Sequence, residues 1–159
     1  YYKAMYNTSI RIVKNNYEAE DIMQEAFITA FKKLDKLENT ENFGAWLKRI
    51  VVNKSIEIYK KNISKNESEI DDKLYKLESI DSCNDKALET KTKYENVLNA
   101  MSELKDNYGT LLNLNLIEGY DYDEICEIMS ISYSNCRTMM SRAKDSLRKK
   151  LSEMEIVLQ

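Results

Sequence analysis

Histidine and proline are both absent from this 159-residue chain. Losing histidine removes the usual acid–base catalyst and the commonest metal ligand. The three glycines, Gly44, Gly109 and Gly119, build neither a GxGxxG loop nor a Walker-type phosphate cradle. Strand-and-turn architectures need more glycine and proline than this for their turns. The three cysteines, Cys83, Cys126 and Cys136, are odd in number and contain no CxxC pair, which fits reduced thiols in a cytoplasm. No run of about 18 apolar residues and no signal peptide is visible. The chain opens at Tyr1, so a few native residues are expected to precede it. No catalytic residue, metal or cofactor is expected, and the chain does not read as an enzyme.

What remains is 43% hydrophobic and 32% charged, the balance of a globular protein. Lys, Glu, Leu, Met and Ile dominate, which predicts an all-α fold. Met23, Phe27, Ala30, Phe31 and Leu34 recur at three- and four-residue spacing and predict one apolar stripe. Asn15 followed by Glu18 predicts the cap of the helix that carries it. A polar break, LENTEN (Leu37 to Asn42), follows. A second stripe then starts with Phe43, Trp46, Leu47, Ile50 and Val51 and is expected to run to about Lys61.

Residues 62–90 are rich in Ser, Asn, Asp and Glu and read as a solvated acidic linker, with one short helix near Leu74. The expected organisation is therefore two small helical domains, 1–61 and 91–159, on either side of that tether. In the second, Val97, Leu98, Met101 and Leu104 form one stripe. Leu111, Leu112, Leu114, Leu116 and Ile117 predict a helix buried on most sides, ended by Gly119. Asp121 with Glu124 predicts a capping box, and Ser132 the cap of a last helix that buries Cys136, Met140, Ala143 and Leu147.

Two helices separated by Ser130-Ile131-Ser132 make a helix-turn-helix, whose second helix lies in the major groove of DNA. Charge is segregated accordingly. The chain carries a formal −3. Residues 133–151 nevertheless hold Arg137, Arg142, Lys144, Arg148, Lys149 and Lys150 against Asp145 alone, while 103–127 are strongly acidic. A focused positive face lets an acidic protein bind nucleic acid. The expected duplex-reading residues are Tyr133, Ser134, Asn135, Arg137, Thr138, Ser141, Arg142 and Lys144. Hydroxyls, amides and guanidinium forks are the groups that read base edges and grip phosphates.

Two segments together resemble a known family. Tyr17 to Asn62, YEAEDIMQEAFITAFKKLDKLENTENFGAWLKRIVVNKSIEIYKKN, resembles region 2 of bacterial sigma-70-family factors, with the pattern E-D-apolar-apolar-Q-E-x-F followed by F-x-x-W-L-x-x-I-x-x-N. LNLIEGYDYDEICEIMSISYSNCRTMMSRAKDSLRK resembles region 4 of the same family. In that order, with a short acidic linker and no intervening domain, the whole chain is similar to an extracytoplasmic-function (ECF) sigma factor.

That resemblance implies a non-catalytic subunit that docks on core RNA polymerase, reads the duplex −35 element with region 4, and melts and holds the −10 element with region 2. It implies that Asp21, Gln24, Glu25 and Phe27 meet the polymerase. Trp46, Arg49 and Asn53 share a helix face suited to single-stranded DNA, and Lys54, Lys60 and Lys61 suit its phosphates. Trp46 is equally readable as core, and Asn53 as a buried amide. Asn39, Thr40 and Asn42 are the candidates for capturing an extruded base, as the family implies. An anti-sigma factor, often membrane-anchored in the family, is an expected partner, and the expected location is the bacterial cytoplasm. The chain departs from the family where Met139 and Ser134 replace a frequent basic residue and a frequent glycine. Two other readings stay open: a freestanding helix-turn-helix regulator, and an all-helical protein-interaction module without DNA binding. The DIMQEAF helix separates them, since a simple repressor has no need of it.

Overall fold

A computed structural model describes residues 1–65, 85–105 and 107–157. Among them every regular element is helical. The chain divides into two compact units, Tyr1–Ile80 and Asp81–Gln159. The predicted short helix near Leu74, and Cys83, lie outside the described residues.

The first unit packs three helices against one another: α1 (Tyr2–Val13), α2 (Asn16–Lys32) and α3 (Phe43–Lys65). Lys14 ends α1 in a left-handed conformation (φ 56°) and returns its N–H to the Ile10 carbonyl. Asn15 then starts α2, its side chain accepting from the Glu18 N–H at 3.2 Å, as the sequence predicts. The polar break becomes two single 3₁₀ turns, Leu34–Lys36 and Thr40–Asn42. The core is filled by Ile10, Ala19, Ile22, Met23, Ala26, Ala30, Leu47 and Val51, all buried. Phe27, Phe43, Trp46 and Ile50 pack partly buried on its edge. Ser55 extends the buried contact between α3 and α1 by donating to Ser9 Oγ at 3.0 Å.

The predicted α2 stripe needs one correction. Phe31 is 74% exposed and Leu34 45% exposed. The face turned to the core carries small residues instead, Ala19, Ala26 and Ala30, which let the helices approach closely and leave the bulky side chains outside.

The second unit contains α4 (Asp85–Ser102), α5 (Tyr108–Leu112), α6 (Tyr122–Met129) and α7 (Tyr133–Val157). Helix thus runs into both ends of the 62–90 stretch, to Lys65 on one side and from Asp85 on the other. Between α5 and α6 the chain opens into one π-helical turn, Asn113–Ile117. The predicted continuous apolar helix is therefore α5 plus this widened turn. The widening also rotates Leu116 outward, so it is exposed while Leu111, Leu112 and Leu114 are buried. Gly119 follows at φ +80°, a conformation glycine adopts without a steric penalty, and turns the chain toward α6. Gly109 is fixed by space rather than by dihedral: a Cβ there would stand 2.5 Å from the Met101 carbonyl oxygen. That close approach seats α5 on the end of α4.

Candidate nucleic-acid interface

The helix-turn-helix forms from local chemistry. Asp121 and Glu124 close a reciprocal capping box at 2.9 Å each way. Ile125, Ile128 and Met129 are buried along α6. Ser130 ends the helix at φ 57°, ψ 48°, the left-handed position the sequence predicts for the turn. The Ile131 N–H reaches back to the Cys126 carbonyl, and Ser132 Oγ accepts from the Asn135 N–H at 3.2 Å to open α7. Cys136, Met140 and Ala143 are fully buried and Leu147 nearly so. Burial beside Cys126 pushes the Cys136 thiol up to about 11, so it stays neutral and packs as a small apolar group.

On the outer side of α7, Tyr133, Ser134, Asn135, Arg137, Thr138, Ser141 and Arg142 are all exposed. Arg137, Arg142 and Lys149 make no ion pair within the described residues. Two other cations are partly spent: Arg148 pairs with Asp145 at 2.7 Å, and Lys150 with Glu103, whose hydrogen bond holds the ammonium pKa above its usual value. The Thr138 hydroxyl donates to the Ser134 carbonyl at 3.1 Å, which leaves it an acceptor toward any ligand. Lys144 is half-buried and turned toward Tyr122, against the expectation of a freely exposed phosphate contact.

In the first unit the residues predicted for the −10 element fall into two groups. Asn53 is exposed, so the buried-amide alternative is excluded. Arg49 and Lys60 are half-buried and Lys61 exposed on the side of α3 away from Leu47 and Val51. Trp46 is intermediate: half-buried on the core edge, in ring contact with Phe43 at 6.0 Å, which itself meets Tyr1 edge-on at 5.5 Å. Lys54 stands apart from this face. It points to α2 and binds Glu25 Oε2 at 3.2 Å. In the loop, Thr40 and Asn42 are exposed, whereas Asn39 spends its side-chain oxygen on the Glu41 N–H at 2.8 Å, capping the 3₁₀ turn.

On α2, Asp21, Gln24 and Glu25 are exposed and Phe27 is half-buried against the core. The sequence reading missed what lies beside them. Tyr17 (82% exposed), Ile28 (54%) and Phe31 (74%) share the face of Asp21 and Gln24. The available signal was the excess of bulky apolar residues on α2, too many for one core-facing stripe.

A two-unit helical protein with a basic helix-turn-helix in one unit and a mixed aromatic–cationic helix face in the other defines a DNA-binding protein of the transcription machinery. The family model for sigma-70 region 2 matches residues 1–63, and that for sigma-70 region 4 matches 94–147. The chain belongs to the sigma-70 family, in its ECF group. Similar curated proteins include the ECF RNA polymerase sigma factor SigW of Bacillus subtilis, 28% identical over 97% of this chain and 86% of that protein. Another is the ECF factor SigM of the same organism, 28% identical over 93% of this chain and 88% of that protein. The fold is shared with the sigma factor RpoE of Bartonella quintana, solved in complex with the anti-sigma factor NepR. That likeness has a TM-score of 0.62 at 19% identity and covers 94% of this chain and 90% of that one. CnrH, solved with the cytosolic domain of CnrY, matches at a TM-score of 0.53 and 18% identity, over 94% and 81% of the two chains.

Proposed function

We propose that this chain is the promoter-specificity subunit of a bacterial RNA polymerase, acting in the cytoplasm without catalysis of its own. Its partners are core polymerase and promoter DNA, and it uses three surfaces. The outer face of α7, centred on Arg137 and Arg142 with Ser134, Asn135 and Ser141, reads the duplex −35 element. The α3 face of Trp46, Arg49, Asn53, Lys60 and Lys61, together with Thr40 and Asn42, holds the displaced strand of the −10 element. The α2 face of Asp21 and Gln24 docks on the polymerase, with Ile28 and Phe31 supplying apolar contact. No step needs a metal or cofactor: recognition rests on charge, stacking and hydrogen bonding.

The observation that carries this reading is the pairing of two uncommitted guanidiniums on a capped recognition helix with a separate module whose α2 leaves large apolar groups in water. A freestanding repressor accounts for the first feature and not the second. Exposed apolar groups of this kind are covered by a partner when the protein is at work. An anti-sigma factor is the expected occupant when the protein is held inactive, as seen for the two structural relatives. The test is co-purification with core polymerase. The wild-type chain should co-elute with core, and Gln24→Ala should do so more weakly while its region 4 still binds duplex. Equal core affinity for the variant removes the α2 face from the interface.

A further inference from the structure

One cluster in the helix-turn-helix is used neither by the core nor by the exposed reading face. Tyr122 opens α6 and Tyr133 opens α7, and their rings meet at 6.2 Å between centroids, tilted by 53°. Lys144, nearly three turns along α7, brings its ammonium 5.8 Å from the centre of the Tyr122 ring and 3.4 Å from its hydroxyl. An ammonium only donates, so the phenol oxygen must accept. The single phenol proton is then left over, and among the described residues it meets no acceptor. Lys144 likewise keeps two of its three N–H donors. Donating to an oxygen polarises its O–H, which strengthens the remaining phenol donor. The cluster thus presents several adjacent donors and one positive charge, and it forms no ion pair within the described residues.

The position of these donors is informative. On α7, Tyr133, Arg137, Lys144 and Arg148 fall within about 60° of one another, on the flank between the buried stripe and the outer face. The α6 carboxylates are turned away: Asp123, Glu124 and Glu127 lie about 100–200° around that helix from Tyr122. Glu124 is also occupied by the capping box.

We infer that Tyr122 and Lys144 together grip one phosphodiester of the duplex, on the side of α7 nearest α6. The pair fixes the angle at which the recognition helix enters the groove. Tyr133 acts as the positioning residue that holds the Tyr122 ring. This inference rests on the reading of α7 as the duplex-facing helix and adds a backbone anchor on α6 to it. Phosphate contacts set register and orientation without sequence information.

Because such a contact is independent of sequence, the probe is a short mixed-sequence B-form duplex titrated with the full chain across a range of salt concentrations. Tyr122→Phe keeps the ring and deletes only the hydroxyl. It should weaken binding about three- to tenfold, the range of one hydrogen bond. Its thermal midpoint should stay that of the wild type. Lys144→Met keeps the aliphatic stem, and should lower the slope of log K against log salt by about one counterion. A lysine that merely packs on a tyrosine leaves that slope unmoved. Wild-type affinity for Tyr122→Phe, or an unchanged slope for Lys144→Met, overturns the inference. Arg137→Ala and Arg142→Ala run beside them separate the two failures. If these lose binding while the Tyr122 and Lys144 variants behave as wild type, only the anchor is wrong. If all four bind as wild type, α7 does not face the duplex.

Discussion

Arg137 and Arg142 show most plainly how single residues carry the function. Both extend from a helix whose opposite side is sealed into the protein, and neither has an internal carboxylate to satisfy it. Replacing either with alanine should leave the fold intact and cost about 1–3 kcal/mol of duplex affinity if the fork is bidentate to a base, measurable by titration. Ser130 presents the reverse case, a residue that burdens the fold. An L-residue held at φ 57° is strained by about 1–2 kcal/mol relative to right-handed backbone. Ser130→Gly should therefore raise stability by about 0.5–1 kcal/mol in urea unfolding, after the greater freedom of glycine in the unfolded chain is subtracted. A lower urea midpoint for that variant would show that the serine side chain contributes more than the strain removes. Both features were legible from sequence because each depends on neighbours a few positions away. The Lys54–Glu25 pair was not, because its partners are 29 residues apart and meet only once α2 and α3 pack. Lys144 with Tyr122, 22 residues apart, escaped for the same reason.

Helices formed where the sequence placed them because their start and stop signals are local. Asn15, Asp121 and Ser132 each bind the backbone N–H three residues on. Removing the Asp121 cap with alanine should destabilise the second unit by about 1 kcal/mol and loosen the turn before α7. Which side of a helix faces inward was harder to read. On α2 the apolar residues cover more than half the circumference, so periodicity alone admits two stripes. Alanines took the core because close helix contact favours them, and Phe31 was left in water. The π-helical turn at Asn113–Ile117 has no sequence signal of its own, and it alone accounts for Leu116 being exposed. Gly109 was visible only as a glycine. The structure shows its reason, the Met101 carbonyl 2.5 Å from where a Cβ would be. Gly109→Ala must push backbone against backbone and should destabilise the unit by about 1–3 kcal/mol, read by thermal or urea unfolding.

At the scale of the molecule, the two units divide the labour. One carries the recognition helix, and the other carries the strand-binding face and an α2 surface that its own unit leaves uncovered. The order of the two motifs along the chain made this division readable, since each motif alone is compatible with simpler proteins. Phe31 separates a docking role from a structural one. At 74% exposure, Phe31→Ser should change the unfolding midpoint little while weakening association with core polymerase. A variant that unfolds early, or that binds core as tightly as the parent, would return Phe31 to the fold or to bare solvent. The most direct measurement is transcription by purified core polymerase on genomic DNA of the source bacterium, with and without this chain, followed by mapping of the 5′ ends. The account predicts new transcripts that begin at a restricted set of sites, appear only when the chain is present, and are lost with Arg137→Ala/Arg142→Ala. A chain that neither assembles with core nor changes where transcripts begin would contradict it.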